Sequence, residues 1–221
     1  MLEARDLGKS FGRTRALAGV SLAIAEGEIV AVTGPSGAGK STLLHCLAGV
    51  VRPESGEVVL DGRRIDTLPE EELTKLRRES FGIVFQHGEL VPELTAVENV
   101  ALPLLFNRHG RREAMSVAAE WLARLEVSDC AEQRVGELSG GQRQRVAVAR
   151  ALVTGPRVVF ADEPTGALDT LGGEQVMTAL LGAARAGRTA VVLVTHDNRV
   201  AAYADREITL RDGAVPAEVS R

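Results

Sequence analysis

Short runs rich in apolar residues recur along the chain and predict strands. The runs at 29–32, 158–161 and 190–195 do not alternate with polar residues, which is typical of strands buried on both faces of a sheet. The predicted strands cover residues 18–24, 28–33, 81–85, 158–161 and 190–195. Helical spacing of apolar residues lies between the last two, around 174–185. Asp-Gly pairs suit tight turns and predict hairpins over 57–65 and 207–215. Buried strands that alternate with helices indicate an α/β fold with a largely parallel sheet.

The segment from about residue 92 to 150 has a mostly helical pattern. Its clearest apolar stripe lies on one helical face and comprises Ala114, Val117, Ala118, Trp121, Leu122 and Leu125. We interpret this stripe as core packing. The helical segment is therefore predicted to be an insertion into the α/β core.

The composition is that of an ordinary globular protein, with 45% hydrophobic, 25% charged and 3% aromatic residues. The net charge is −4, whereas nucleic-acid binders usually carry a basic surplus, so no nucleic-acid partner is expected. Cys46 and Cys130 lack metal-ligand spacing and are expected to be reduced thiols in a cytoplasmic protein. No segment approaches the roughly 18 uninterrupted apolar residues of a spanning helix, so any membrane role is expected to come through a partner.

A glycine-rich segment separates the second predicted strand from an apolar helix. It reads Gly34-Pro35-Ser36-Gly37-Ala38-Gly39-Lys40-Ser41-Thr42. This spacing is typical of a loop whose backbone N–H groups bind phosphate, aided by the positive end of the following helix. Lys40 is expected to reach the β- and γ-phosphates, Ser41 to bind Mg²⁺ and Thr42 to contact the α-phosphate. The alternative is a chance glycine-rich turn, and the strand-loop-helix context favours the nucleotide site.

The predicted strand at 158–161 ends in two carboxylates, Asp162 and Glu163. Burial of charge is costly unless something compensates it, and a Mg²⁺ ion provides that compensation. Asp162 is expected to hold the metal shell, and Glu163 to stand where a water attacks the γ-phosphate. Alone, the pattern fits a strand that runs into an acidic turn equally well. The phosphate loop favours the metal site.

A second glycine-rich helix start reads Leu138-Ser139-Gly140-Gly141-Gln142. Such a helix start can bind an anion, but Ser139 is equally suited to an ordinary N-cap. Taken alone, the segment favours the N-cap. The arginines that follow, at 143, 145 and 150, are interpreted as a solvated or phosphate-near helix face.

With these motifs in this order, the chain resembles the ATP-binding subunits of ABC transporters over essentially its whole length. Residues 138–142 match the family's signature sequence, 34–41 its Walker A loop and 158–162 its Walker B strand. The resemblance implies a RecA-like P-loop NTPase core with a mostly parallel sheet and an antiparallel β subdomain. It also implies a helical subdomain inserted between Walker A and Walker B.

The resemblance implies a single ABC ATPase domain over residues 1–221. The nucleotide-binding core would occupy about 1–86 and 155–221. The helical subdomain with the signature sequence would occupy about 87–154.

The resemblance assigns four further residues to the ATP site. Phe11 falls where an aromatic ring stacks on adenine, and Gln86 at the glutamine of the Q-loop. Asp169 lies in the segment that resembles the D-loop, and His196 falls at the switch histidine. The alternatives are a core aromatic for Phe11, a surface amide for Gln86 and a capped helix start for His196.

The mechanism that the resemblance implies uses two copies of the chain, paired head to tail with two-fold symmetry. The 138–142 segment of one copy closes on ATP and Mg²⁺ that the phosphate loop of the other copy holds through Lys40. Glu163 orients or deprotonates the attacking water, and His196 contacts the γ-phosphate. Gln86 touches Mg²⁺ or the water and links the site to a membrane partner, and Asp169 communicates across the dimer.

Within the family, the chain is similar to the MacB/LolD/FtsE-like ATPases. The similarity lies in Phe85-Gln86, in residues 90–105 and in residues 162–169, although Ala167 stands where many members carry Asn. It implies permease subunits with four spanning helices and a large extracytoplasmic domain, which contact the segment at about 87–108. The implied function is an exporter ATPase, held by its permease at the cytoplasmic face of the inner membrane.

Two other classes of function remain open. One is an FtsE-like mechanotransmitting complex, which regulates an extracytoplasmic process without moving a substrate. The other is a soluble ABC ATPase that acts on DNA or ribosomes. The latter predicts a coiled-coil insertion or a duplicated domain, and neither is seen in this sequence.

Overall fold

The structure is a computed structural model that describes residues 1–86 and 88–216. The chain forms two compact units, one of residues 1–77 with those from 192 onward, the other of residues 78–191. The strands are β1 (Leu2–Phe11), β2 (Thr14–Ile24), β3 (Ile29–Thr33), β4 (Ser55–Leu60), β5 (Arg63–Arg64), β6 (Phe81–Val84), β7 (Val158–Asp162), β8 (Ala190–Val194) and β9 (Arg206–Thr209). The helices are α1 (Lys40–Leu47), α2 (Glu70–Ser80), α3 (Ala96–Phe106), α4 (Arg111–Arg124), α5 (Gly140–Leu152), α6 (Thr170–Gly187) and α7 (Asn198–Ala201).

The first unit contains an antiparallel sheet in the order β2-β1-β4-β5. Leu2 lies opposite Ile24 on one side and Leu60 on the other. The turn at Asp61-Gly62 joins β4 to β5, so the first predicted hairpin is confirmed. Strand β1 was not predicted, because its polar residues interrupt the apolar pattern.

The same unit holds part of a parallel sheet. Strand β3 is buried at every position and pairs in parallel with β9. The backbone N–H of Thr195, just after β8, donates to the carbonyl of Val32, so β8 lies on the other side of β3. The second predicted hairpin is wrong in its first strand, because β9 pairs with β3. Only a bridge between Arg211 and Ala214 closes the Asp212-Gly213 turn.

The second unit contains the parallel pair β6 and β7, with Val84 opposite Ala161. The helices α3, α4 and α5 lie between α1 and β7 in the chain, as the fold class predicted. The parallel sheet, the antiparallel sheet and these helices confirm that fold class. The subdomain boundaries near 87 and 154 stay a prediction.

The predicted stripe of α4 packs as expected. Ala114, Ala118 and Leu122 are fully buried. Trp121 is half-buried at the edge of the stripe, and the guanidinium carbon of Arg124 lies 5.0 Å from its ring centroid. Among the described helices, none is long and apolar enough to span a membrane.

Candidate functional site

The phosphate-loop residues connect the end of β3 to the start of α1. Gly34, Gly37 and Gly39 have φ values of 133°, 79° and 99°, which side chains disfavour. A Cβ on Gly34 would lie 2.1 Å from the carbonyl oxygen of Leu210, and one on Gly39 would lie 2.2 Å from that of Ala16. Glycine is therefore required at both positions by conformation and by space.

Lys40 is the buried polar group of this loop. Its Nζ donates to the carbonyl oxygens of Gly34 at 2.8 Å and Pro35 at 2.9 Å. Lys40 also begins α1, whose N-cap residue Gly39 makes no side-chain cap. The ammonium and the positive end of the helix thus lie at one loop, an arrangement that suits a polyphosphate. Among the other predicted ligands of the loop, Ala38 is buried. The rest are exposed or half-buried, namely Pro35, Ser36, Gly37, Ser41 and Thr42.

Phe11 and His196 belong to the same unit as the loop. Phe11 ends β1 with 53% of its surface exposed, so it is not a core aromatic. The Lys9 ammonium lies 5.5 Å from its ring centroid. His196 comes directly after Thr195, whose backbone N–H donates to the carbonyl oxygen of Val32. This hydrogen bond places His196 beside the end of β3, from which the loop begins. The strand ends therefore bring His196 and the phosphate loop to one edge of the sheet.

The second unit carries the two carboxylates and Gln86. The parallel register of β6 and β7 brings Gln86 and Asp162 to the same edge, since each lies at or just beyond the end of its strand. A Cβ on Gly166 would lie 2.7 Å from Nε2 of Gln86, so the Gln86 side chain packs against the turn that follows the carboxylates. Glu163 has φ of 47°, a left-handed conformation that costs energy for a residue with a side chain.

Asp162 provides the test of whether a metal ion fits. Its Oδ1 atom is buried and has no hydrogen-bond partner among the described residues. A buried carboxylate oxygen is costly unless it is paired, and a Mg²⁺ ion is a fitting partner. The described residues contain no group of three or more His, Cys, Asp or Glu side chains that could hold a metal. Nucleotide-bound Mg²⁺ is usually held by one or two carboxylates together with phosphates.

The 138–142 segment forms the start of α5. The Ser139 Oγ accepts from the N–H of Gln142, and the Gln142 side chain accepts from the N–H of Ser139, so the two form a capping box. The N-cap interpretation is thus confirmed for Ser139. It leaves anion binding to the backbone at Gly140 and Gly141. A Cβ on Gly140 would lie 3.3 Å from the side chain of Leu168.

Asp169 caps the next helix in the same way. Its side chain accepts from the N–H of Gly172 at 2.8 Å, at the start of α6. Asp169, in the segment that resembles the D-loop, is therefore held in place by its own helix.

The arginines of α5 differ from the interpretation made from the sequence. Arg143 is exposed, but Arg145 donates to the carbonyls of Leu125 and Glu126. Arg150 donates to carbonyls just after Gln86. No sequence pattern indicated these contacts, because the acceptors are backbone atoms about 20 and 60 positions away.

Comparison with known proteins identifies the family. A family model described as ABC transporter matches residues 17–166. The macrolide export ATP-binding/permease protein MacB of Nitrosomonas europaea is 44% identical over 99% of this chain and 34% of its own length. The lipoprotein-releasing system ATP-binding protein LolD of Porphyromonas gingivalis is 42% identical over 99% of this chain and 100% of its own length. The chain thus spans about a third of the MacB relative and the whole LolD relative.

A solved structure agrees with these relatives. The ATP-binding cassette MJ0796, in a dimeric post-hydrolysis state bound to ADP and Pi, superposes with a TM-score of 0.90 at 42% identity. The match covers 98% of this chain and 97% of the cassette, whose source is Methanocaldococcus jannaschii. The chain belongs to the ABC transporter family, and it is similar to the ATP-binding parts of MacB and LolD proteins.

Proposed function

We propose that this chain powers a membrane exporter, working as a head-to-tail pair of two copies on permease subunits. The observation that carries the proposal is the phosphate loop. Its Lys40 ammonium lies beside the start of α1, and a side chain at Gly34 or Gly39 would clash with a backbone carbonyl oxygen. The relatives named for macrolide export and for lipoprotein release support an exporter ATPase. The dimeric MJ0796 cassette supports the pairing.

ATP would bind through the loop of one copy. Lys40 would exchange its carbonyl partners for the β- and γ-phosphates, and Thr42 would contact the α-phosphate. The exposed ring of Phe11 would stack on adenine. Mg²⁺ would be held by Ser41, Asp162 and Gln86, and it would neutralise charge on the phosphates.

Hydrolysis would depend on positioning more than on covalent chemistry. Glu163, in its strained turn, would accept a proton from the water that attacks the γ-phosphorus. His196 would donate a hydrogen bond to the γ-phosphate oxygens. The bond from the γ-phosphorus to the bridging oxygen then breaks, leaving ADP and phosphate.

The second copy would complete the site. The N–H groups at Gly140 and Gly141 would face the γ-phosphate, with Ser139 and Gln142 holding the helix start through their capping box. Asp169 would contact the partner copy beside this closure. ATP would thus favour the closed pair, and its hydrolysis would release it.

The permease contact is proposed for the segment at about 87–108, of which position 87 lies outside the described residues. Leu90 and Leu104 are buried and are not available to a partner. Phe106, 60% exposed at the end of α3, is the apolar group that a partner helix would cover. The permease would be of the four-helix type with a large extracytoplasmic domain, and it would hold the chain at the cytoplasmic face of the inner membrane. We propose one ABC ATPase domain over 1–221, and no nucleic-acid partner.

The test uses Glu163→Gln, with Glu174→Gln on the exposed face of α6 as the matched control. With ATP and Mg²⁺, the Glu163 variant is expected to accumulate as a dimer by light scattering and to lose turnover. The Glu174 variant should behave like the unchanged chain. Unchanged hydrolysis by the Glu163 variant would overturn the assignment.

The same variant, tagged and captured from native membranes with ATP and Mg²⁺, tests the partner by mass spectrometry. Capture of a four-helix permease with a large outer domain supports the membrane role. A complex that then transports a substrate is the exporter, and one that transports none is the mechanotransmitting alternative. Recovery of soluble factors alone would overturn the membrane role but leave the ATPase chemistry intact.

A further inference from the structure

The guanidinium of Arg150 binds the loop around Gln86, here called the 85–91 loop, of which residues 85, 86 and 88–91 are described. One terminal nitrogen donates to the carbonyl oxygen of Glu89 at 2.8 Å, and the other to that of Gly88 at 2.9 Å. Gly88 and Glu89 have φ of 74° and 43°, so the loop turns through a conformation that costs energy for Glu89. Hydrogen bonds from a charged donor are strong enough to stabilise such a turn.

Gln144, six residues before Arg150 on α5, binds the start of the loop. Its side chain is almost fully buried, and its Nε2 donates to the carbonyl oxygen of Phe85 at 2.9 Å. A Cβ on Gly88 would lie 3.5 Å from the Cβ of Ala147 and from Oε1 of Gln144. The loop therefore packs directly on α5, with two side chains of that helix bound to its backbone.

Asn99 of α3 holds the end of the loop. The side chain is fully buried, and its Oδ1 accepts from the N–H of Val91 at 2.7 Å. Its Nδ2 donates to the carbonyl oxygens of Val91 and Thr95 at 3.1 and 3.0 Å. Buried or half-buried side chains thus form hydrogen bonds with the loop at its start, middle and end, namely Gln144, Arg150 and Asn99.

Helix α5 begins at the signature segment, and the 85–91 loop carries Gln86. We infer that Arg150 and Gln144 are positioning residues that make this loop and α5 one body, so that Gln86 is displaced together with Ser139. The inference rests on the proposed role of Gln86 at the ATP site. Closure of the signature segment on ATP then moves the loop through direct hydrogen bonds, without a separate conformational step.

The experiment compares Arg150→Met, which keeps the aliphatic stem, with Arg150→Lys, which keeps the charge but has one donor nitrogen in place of the guanidinium fork. Arg145→Met is the matched control, because Arg145 lies on the same helix and also donates to two backbone carbonyls, outside the loop. Hydrogen exchange followed by mass spectrometry reports on the 85–91 loop of the full chain. Steady-state ATP hydrolysis and thermal melting are measured on the same preparations.

Arg150→Met is expected to accelerate exchange in the loop about tenfold, while Arg145→Met leaves it unchanged. Its kcat should fall about tenfold with the KM for ATP within about twofold, since loop order affects the reacting state rather than ATP binding. Arg150→Lys should restore part of both. Unchanged exchange in the loop, or an equal loss of kcat in Arg145→Met, would overturn the inference.

Gln86→Ala separates this inference from the proposed function. If Gln86→Ala lowers kcat but Arg150→Met changes only loop exchange, the loop does not position Gln86 and the inference is wrong. If Gln86→Ala leaves kcat unchanged, the proposed role of Gln86 fails. The exchange data still decide whether Arg150 holds the loop.

Discussion

The ammonium of Lys40 donates to the carbonyl oxygen of Gly34 at 2.8 Å, six residues earlier in the chain. The lysine that would bind phosphate is therefore held by its own loop rather than by an acidic side chain. A neutral carbonyl is a weaker partner for an ammonium than a charged phosphate oxygen is. A nucleotide can thus take over the ammonium without breaking an ion pair.

Replacement of this lysine tests the phosphate site. Lys40→Met should abolish ATP hydrolysis and lower ATP affinity by about 100-fold, measured by calorimetry, because the cation for the β- and γ-phosphates is lost. Lys75→Met, on an exposed position of α2, is the control and should hydrolyse ATP normally. Normal turnover in Lys40→Met would contradict the site.

Asp162→Asn tests the proposed metal ligand. The change removes a charge from a buried atom that has no partner among the described residues, so the melting temperature should stay the same or rise. The kcat with Mg²⁺ should fall by about 100-fold, since an amide binds the ion poorly. Asp129→Asn, at an exposed position, should change neither quantity. Full activity of Asp162→Asn would show that this carboxylate does not hold the ion.

Gly82→Ala tests the packing of β6 against α5. The added Cβ would lie 2.2 Å from the carbonyl oxygen of Ala151, so a strand or a helix must shift. We expect a loss of about 2–4 kcal/mol in the free energy of unfolding, measured with urea. Gly136→Ala has open space around the new methyl group and should cost under about 1 kcal/mol. Equal effects of the two changes would contradict the packing.

Asn99→Leu tests the fastening of the loop end. The change leaves the N–H and carbonyl of the half-buried Val91 without their side-chain partner. We expect a loss of about 2–4 kcal/mol in the free energy of unfolding. Asn107→Leu loses a single long bond of 3.5 Å to Arg78 and should cost about 1 kcal/mol or less. A cost for Asn99→Leu as small as that of its control would show that the loop end does not need the amide.

The thiols give a prediction about pH. Burial raises the pKa of Cys46 to about 11, against a smaller opposing effect of Lys9. Near pH 8 only on the order of 0.1% of this thiol is thiolate, the form that reacts. Iodoacetamide should therefore leave Cys46 unmodified in the native protein and modify it after denaturation, as peptide mass spectrometry would show. Rapid modification of the native thiol at this pH would contradict the burial.

Much of the site could be read from local sequence, because its chemistry depends on short runs. A phosphate loop requires glycines and a lysine at set spacing, and the structure supplies the positive φ angles and the close carbonyls that explain Gly34 and Gly39. The apolar runs likewise predicted β3, β7 and β8, since strands buried on both faces need apolar residues at every position.

Strand β1 and the partner of β9 could not be predicted in this way. Strand β1 is exposed at several positions, so its pattern is broken, and β9 pairs with β3 rather than with the residues after its turn. Strand pairing depends on hydrogen bonds between segments far apart in the chain, which no local pattern encodes.

The sequence by itself determined the family and the residues proposed for ATP chemistry, since both are carried by residue type and spacing. Only the tertiary structure decided what Arg150, Gln144 and Asn99 do. Their hydrogen-bond partners are backbone atoms, and nearly every residue has the same backbone groups. The sequence therefore does not indicate which carbonyl a side chain will bind. Folding brings the 85–91 loop onto α5, and that contact gives Arg150 its place.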